Sequence, residues 1–175
     1  MNVLAASAAV RRRVALVGRA NSGKTSLLMH LTGTLQRPVN FPGTSVECVE
    51  GDARVGDTSL CILDLPGIGS LEPHSQDEQQ ALLSLTRSDH PPELLCVVLD
   101  ASKLLVELQL LAELRRLGRP IVVALTKVDV AAAEGFPVDV ERLERAIGLP
   151  LVAVHGVAGA GVPALRERLA GPLPA

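Results

Sequence analysis

A short segment near the amino terminus carries the clearest chemical pattern in this sequence. GRANSGKT, residues 18–25, fits G-x-x-x-x-G-K-[ST] at every fixed position, between the apolar run VALV and the helix-like run SLLMHL. Gly18 and Gly23 let the main chain curl so that its N–H groups point at phosphate oxygens. Lys24 would reach the β- and γ-phosphates of a nucleotide, and the Thr25 hydroxyl would coordinate Mg²⁺. The segment predicts a nucleotide-binding phosphate loop.

Two further motifs each follow an apolar, strand-like run. DLPG begins with Asp64, whose carboxylate can hold Mg²⁺ through water, and ends with Gly67, whose N–H can meet a γ-phosphate. TKVD begins with Thr126 and resembles N-K-x-D, in which Asp129 accepts both N–H groups of the guanine edge and Lys127 packs over the ring. Each motif alone is weak, but in this order behind a phosphate loop they predict GTP or GDP, with Mg²⁺, as the ligands.

Alternating apolar runs indicate how these motifs are positioned. Strands that alternate with helices imply crossover connections, and therefore a mostly parallel sheet with helices on both faces. The link between the second and third strands is too short for a crossover helix, so that pair should be antiparallel. We expect an α/β fold with a six-stranded sheet and one antiparallel strand. The predicted strands are Val14–Val17, Val46–Val49, Ser59–Leu63, Leu94–Leu99, Ile121–Leu125 and Leu151–Val154. The predicted helices are Lys24–Leu31, Asp77–Leu85, Lys103–Leu117, Val140–Ile147 and Ala164–Leu169.

Composition narrows the class of protein further. With 175 residues and 47% apolar composition, the chain is expected to form one domain. A net charge of -2 and the absence of Trp and Tyr argue against a nucleic-acid partner. Cys48, Cys61 and Cys96 lie in apolar runs without a C-x-x-C pair, which predicts buried, reduced thiols. No apolar run approaches the roughly 18 residues of a membrane span.

Three stretches resemble the GTPase domain of the ferrous iron transporter B family, FeoB. They are NFPGTSVECVEG (40–51), DLPGIGSLEPHSQDEQ (64–79) and residues 113–154. The resemblance implies a P-loop GTPase G domain at residues 13–170, with a lead-in at 1–12 and a tail or linker at 171–175. It also implies a cytoplasmic position at the inner face of the bacterial membrane, beside a helical subdomain and a transmembrane iron channel. The chain is interpreted as a GTP-binding, slowly hydrolysing switch for ferrous iron transport.

The resemblance extends the predicted site to two more segments. The family's first-switch threonine aligns with Ser45, with Thr44 beside it, and either hydroxyl could reach Mg²⁺ and the γ-phosphate. The second segment is the family's fifth nucleotide-binding loop. This loop normally has an S-A-K-like sequence in the family, and here it reads HGV, beginning at His155. The expected catalytic residues are Lys24, Ser45, Gly67 and Arg19, and the expected Mg²⁺ ligands are Thr25, Ser45 and Asp64. The expected nucleotide contacts are Gly18, Asn21, Ser22, Gly23, Lys24, Thr25, Ser26, Thr44, Asp64, Gly67, Thr126, Lys127, Asp129, His155 and Gly156.

Departures from the family pattern concern catalysis and base binding. Arg19 stands where the family commonly has an asparagine thought to help hydrolysis. It could act as a built-in arginine finger or point to solvent, and we favour solvent. Ile68 cannot orient water, so hydrolysis should be slow. Thr126 and the altered fifth loop predict micromolar or weaker affinity.

Two segments are expected to be loosely held without a γ-phosphate: the first switch, residues 34–45, and the second switch, residues 67–76. Two alternative functions stay open. One is a freestanding small bacterial GTPase, and the other is a weakly nucleotide-binding docking module with little catalysis. GTP turnover would separate the docking module from the GTPases, and gene context would separate the two GTPases.

Overall fold

A computed structural model of the protein describes residues 10–33, 36–41, 47–87, 90–155 and 159–174. Within these residues seven strands form one sheet in the order β2-β3-β4-β1-β5-β6-β7. The strands are β1 (Val10–Val17), β2 (Gln36–Asn40), β3 (Glu47–Val55), β4 (Thr58–Asp64), β5 (Leu94–Asp100), β6 (Ile121–Thr126) and β7 (Leu151–Ala153). The mostly parallel α/β fold is confirmed, whereas the predicted number of six strands is wrong.

The extra strand is β2, at the edge of the sheet. Its sequence, QRPVN, contains a proline and is largely exposed, so it lacks the apolar alternation that predicts a strand. β3 pairs antiparallel with both β2 and β4, while the other pairings are parallel. β3 is therefore the one strand that runs against the rest of the sheet, as the short link between the second and third predicted strands required.

Helices cover both faces of the sheet. They are α1 (Lys24–Thr32), α2 (Gln76–Arg87), α3 (Leu104–Arg115), α4 (Val128–Ala133), α5 (Val140–Ile147) and α6 (Val162–Ala170). α1 and α6 pack on one apolar layer, and α2, α3 and α4 contribute buried residues to the other. Only α4 was not predicted, because its six residues are too few to display a helical period.

The parallel strands bring the predicted motifs to one edge of the sheet. Leu16 of β1 lies opposite Asp64 of β4, and Asp100 of β5 lies opposite Thr126 of β6. All seven residues of β5 are buried, so the strand has apolar side chains on both of its faces. The loops that follow these four strands consequently meet at the carboxyl edge of the sheet.

The three cysteines are buried free thiols, as predicted. Burial raises the pKa of Cys96 to about 12 and is the main cause that raises the pKa of Cys48 to about 11. Among the described residues, no helix has both the length and the apolar character that crossing a membrane requires.

Candidate nucleotide-binding site

The phosphate loop depends on two glycines. A Cβ atom on Gly18 would lie 2.4 Å from the carbonyl oxygen of Val98, so only glycine fits between β1 and β5. Gly23 has a φ of 99°, in the left-handed region, and is the N-cap of α1. It offers no side chain to the first-turn N–H groups, which therefore face the loop. These N–H groups and the helix dipole make the loop suitable for an anion.

Lys24 is folded into the phosphate loop. Its Nζ atom donates to the carbonyl oxygens of Gly18, at 3.2 Å, and Arg19, at 2.9 Å. The residue is only 7% exposed. Burial lowers the pKa of Lys24, and the nearby carboxylates of Asp64 and Glu107 oppose this effect. The ammonium group thus lies inside the loop, at the place where its negative partner would be a phosphate.

Thr25 and Asp64 meet at the front of the loop. The Thr25 hydroxyl donates to Oδ2 of Asp64 at 2.7 Å, and Oδ1 of Asp64 is shielded from solvent with no hydrogen-bond partner. Burial raises the pKa of Asp64, while the Thr25 hydrogen bond and the Lys24 charge oppose that rise. Hydroxyl and carboxylate oxygens are ligands that Mg²⁺ takes in proteins, and the unpaired oxygen is one that a cation would satisfy. These residues therefore fit Mg²⁺.

The D-x-x-G segment packs directly against the phosphate loop. A Cβ atom on Gly67 would lie 2.7 Å from the main-chain nitrogen of Ala20. The next residue, Ile68, donates its N–H to the carbonyl oxygen of Gly18 at 3.0 Å, and its side chain is fully buried. Gly67 accordingly lies beside the loop, where the sequence predicted it.

The T-K-x-D segment is tied to the same loop from the other side. The Thr126 hydroxyl lies 2.7 Å from the carbonyl oxygen of Ser22, to which it donates. Lys127 donates to the carbonyl oxygen of Asn21 at 2.8 Å and to Oδ2 of Asp100 at 2.6 Å. Asp100 was not predicted, although its position at the carboxyl end of an apolar strand is the same signal that identified Asp64.

A cavity of about 380 Å³ lies between these segments. Asp129 and His155 lie on its wall, with 4.0 Å between Oδ1 of Asp129 and Nδ1 of His155. Other residues of the wall are Gly23, Ser26, His30, Thr126, Lys127 and Val162. His30 and Val162 were not predicted. The cavity is continuous with the first turn of α1, so a base held there would place its phosphates over that turn. Thr44, Ser45 and Gly156 lie outside the described residues.

Arg19 lies against α3 rather than pointing freely into solvent. Its Nη2 atom donates to the carbonyl oxygen of Val106 at 3.4 Å, and its Nε atom is shielded without a partner. The residue after Val106 is Glu107, which is only 1% exposed. Glu107 was not predicted, although it precedes Leu110 and Leu114 on the buried face of the helix, where an acid is unexpected.

Carboxylates hold the second switch segment in place. Glu78 accepts the N–H groups of Gly69, at 3.0 Å, and His74, at 2.8 Å. Glu113 of α3 accepts the Ser70 hydroxyl at 3.0 Å and the Leu71 N–H at 2.6 Å. Four hydrogen bonds thus hold this segment, whereas the sequence predicted that it is loosely held without a γ-phosphate.

The first switch differs from expectation in its described part. Residues 36–40 form β2, and Phe41 is fully buried. The remaining predicted residues, 34–35 and 42–45, lie outside the described residues. Part of this segment is therefore integrated into the sheet.

The fold and these motifs define the class: a G domain of the P-loop GTPases. The family model for ferrous iron transport protein B matches residues 12–169, and the chain belongs to this family. It is 39% identical over 158 residues to the Fe(2+) transporter FeoB of Legionella pneumophila (strain Lens), covering 88% of this chain and 21% of the relative. The chain spans about a fifth of the length of that curated relative.

Solved structures of relatives share the fold. The G domain of the T. maritima FeoB iron transporter superposes with a TM-score of 0.80 at 34% identity, covering 91% of this chain and 96% of that one. The cytosolic domain of the same transporter in its GMPPNP form gives a TM-score of 0.79 at 35% identity, covering 90% of this chain and 62% of that one.

Proposed function

We propose that this chain binds GTP and GDP together with Mg²⁺, hydrolyses GTP slowly, and acts as the regulatory switch of a ferrous iron transport protein. The observation that carries the proposal is the convergence of Lys24, Thr25 and Asp64 at one end of the phosphate loop. The T. maritima relative whose structure is a GMPPNP form has the same fold at 35% identity, which supports a guanine nucleotide as the ligand.

Different parts of the site bind the phosphates, the base and Mg²⁺. The phosphate-loop N–H groups and Lys24 hold the phosphates, and Asp129 accepts the two N–H groups of guanine. Thr25, Asp64 and the first-switch hydroxyl of Ser45 would hold Mg²⁺, which would supply charge neutralisation on the phosphates. Lys24 reaches the phosphates by exchanging its two carbonyl partners for phosphate oxygens, because an ionised acceptor makes the stronger hydrogen bond.

Hydrolysis depends on what faces the γ-phosphate. The N–H group of Gly67 would donate to the γ-phosphate oxygen, where negative charge develops. The following side chain, Ile68, is apolar and fully buried, so it offers no group that could orient the attacking water. The proposal is therefore a slow intrinsic reaction that uses electrostatic stabilisation by Lys24 and Gly67 and lacks a positioned water.

The experiment measures binding of a fluorescent GDP analogue and single-turnover GTP hydrolysis by the wild type and by Lys24→Ala. We expect the variant to lose binding, because Lys24 is the cation folded into the loop, whereas the Arg19 guanidinium lies against α3. Lys103→Ala, which removes an exposed lysine outside the loop, is the matched control. Unchanged affinity in Lys24→Ala would overturn the phosphate-loop assignment. A wild type that binds GDP without turning over GTP would favour the docking module.

The proposed setting is the cytoplasmic face of the bacterial membrane. Residues 13–170 would form the G domain and would work with a helical subdomain and a transmembrane iron channel, in the same or a partner chain. The T. maritima relative described as a cytosolic domain, of which this chain covers 62%, supports this setting. Protease accessibility of a tag at residue 1, in intact cells and in inverted membrane vesicles, would test it. Cleavage in intact cells would contradict it.

A further inference from the structure

Glu107 is a buried acid that nothing in the proposed mechanism uses. It is 1% exposed, and its carboxylate accepts the main-chain N–H of Asp100 at the end of β5. The other carboxylate oxygen, Oε2, is shielded from solvent and has no hydrogen-bond partner. Burying a carboxylate with a free oxygen is costly unless a cation compensates its charge. Burial accordingly raises the pKa of Glu107, and nearby positive charge would favour its ionised form.

Arg19 of the phosphate loop is a cation beside this acid, although none of its nitrogen atoms lies within 4.0 Å of the Glu107 carboxylate. The Arg19 guanidinium donates to the carbonyl oxygen of Val106, the residue before Glu107, and its Nε atom is shielded and unpaired. Burial raises the pKa of Glu107, and Arg19 is the strongest of the groups that lower it, ahead of Lys24. One unsatisfied cationic donor and one unsatisfied anionic acceptor thus lie at the same junction of the phosphate loop and α3.

We propose that Arg19 and Glu107 form a charge-compensating pair, in which Arg19 neutralises the buried acid beside the phosphate site and does not act on the γ-phosphate. Without Arg19, the uncompensated carboxylate would attract the Lys24 ammonium and repel the nucleotide phosphates. Such effects are strong where solvent screening is low. Arg19 is then a positioning residue that acts through Glu107. The inference rests on the proposed function, since it concerns how tightly the loop binds phosphates.

A double-mutant cycle tests the pair by measuring GDP affinity in Arg19→Ala, Glu107→Gln and the double variant. We expect Arg19→Ala to weaken GDP binding about tenfold and the double variant to return to within about threefold of the wild type. Glu107→Gln alone should change affinity less than Arg19→Ala does. Arg19→Lys, which keeps the charge, should retain most of the affinity. Arg116→Ala, at an exposed arginine after α3, is the control.

Measuring GDP affinity as a function of pH adds a test whose result a purely structural role of Arg19 would not change. In Arg19→Ala, GDP affinity should recover as the pH falls, because protonation neutralises Glu107, and this recovery should vanish in the double variant. The groups that face Glu107 are Arg19, Lys24 and Asp100. If the double variant binds GDP as weakly as Arg19→Ala does, the proposed Arg19–Glu107 pair is wrong and Arg19 acts on the phosphates directly. A wild type that binds no GDP would instead overturn the proposed function, so the two failures are distinguishable.

Discussion

The hydroxyl of Thr126 donates to the main-chain carbonyl oxygen of Ser22 at 2.7 Å, across 104 residues of the chain. Both residues are buried, Thr126 at 3% exposure and Ser22 at 1%. Thr126 occupies the position of the asparagine in the N-K-x-D motif, and its hydroxyl ties the base-binding segment to the phosphate loop. The threonine at this position therefore links the two segments directly.

Replacing Thr126 by valine should separate the two segments. The substitution keeps the shape of the side chain and leaves the buried Ser22 oxygen without its donor, which costs about 1–3 kcal/mol of unfolding free energy. We also expect faster GDP release, measured by stopped-flow displacement of a fluorescent analogue. Thr126→Ser retains the hydroxyl and serves as the control. Equal stability and equal release rates in the valine and serine variants would contradict the role of this hydrogen bond.

Asp129→Asn should change base preference from guanine to xanthine. A carboxylate accepts both N–H groups of guanine, whereas xanthine has a carbonyl in place of the amino group and needs a donor there. Leaving a buried polar group unpaired is costly, so we expect GDP to lose affinity and XDP to gain it. Competition between the two diphosphates measures the change. Glu134→Gln, at an exposed acid just after α4, should keep the wild-type preference. The assignment of Asp129 fails if Asp129→Asn still prefers GDP.

Gly67→Ala should affect hydrolysis more than GDP binding. The added Cβ would lie 2.7 Å from the Ala20 nitrogen, so the segment must move away from the phosphate loop. Losing the Gly67 N–H as a preorganised donor to the γ-phosphate lowers the hydrolysis rate by on the order of 10²-fold. GDP binding should change less, because GDP has no γ-phosphate. Single-turnover hydrolysis and GDP binding should be measured together. In the control Gly69→Ala, the added Cβ meets Glu78 Oε1 at 3.0 Å, a side-chain end that can shift. Equal hydrolysis by both variants would refute the prediction.

Asp64→Asn should stabilise the protein without nucleotide and weaken Mg²⁺-dependent GDP binding. Burial raises the pKa of Asp64 in the folded state, so the protonated carboxyl favours folding. This contribution to the free energy of unfolding is fully present below the unfolded pKa and is lost as the pH rises through the folded pKa. At pH 7 the ionised carboxylate therefore costs stability, and the asparagine removes this cost. We expect a melting temperature higher by about 2–4 °C at pH 7 and a smaller gain near pH 4. Glu72→Gln, at an exposed acid, should show neither effect.

The buried thiols should react slowly with a disulfide reagent at pH 8. The pKa of Cys48 is about 11 and that of Cys96 about 12, so little thiolate forms in the folded protein. Their raised pKa values also predict that stability falls as pH rises from about 9 toward 11, because the unfolded thiols ionise first. Thiol titration in buffer and in urea measures how slowly the folded thiols react. Denaturant midpoints measured as a function of pH test the predicted loss of stability. Rapid labelling in buffer would show that the thiols are accessible.

The predictable part of the site consists of residues whose own motif places them at a strand end or in the loop and helix start that follow it. Lys24, Asp64 and Thr126 each belong to a pattern with fixed spacing, and parallel strands bring such ends together. Glu107 belongs to no motif, and its importance arises from packing between α3 and the phosphate loop, which spacing does not reveal. β2 was missed for a related reason: its polar residues are ordered by pairing with β3 and not by apolar periodicity.

Glu113 connects the second switch to α3, none of whose described residues lines the wall of the nucleotide cavity. It accepts from Ser70 and Leu71, so a displacement of that segment must either break both hydrogen bonds or move α3 with it. α3 is anchored to the sheet by Leu110 and Leu114, and its opposite side faces solvent. If loss of the γ-phosphate displaces this segment, the displacement would reach the solvent-facing side of α3, where a neighbouring domain could sense it without touching the nucleotide.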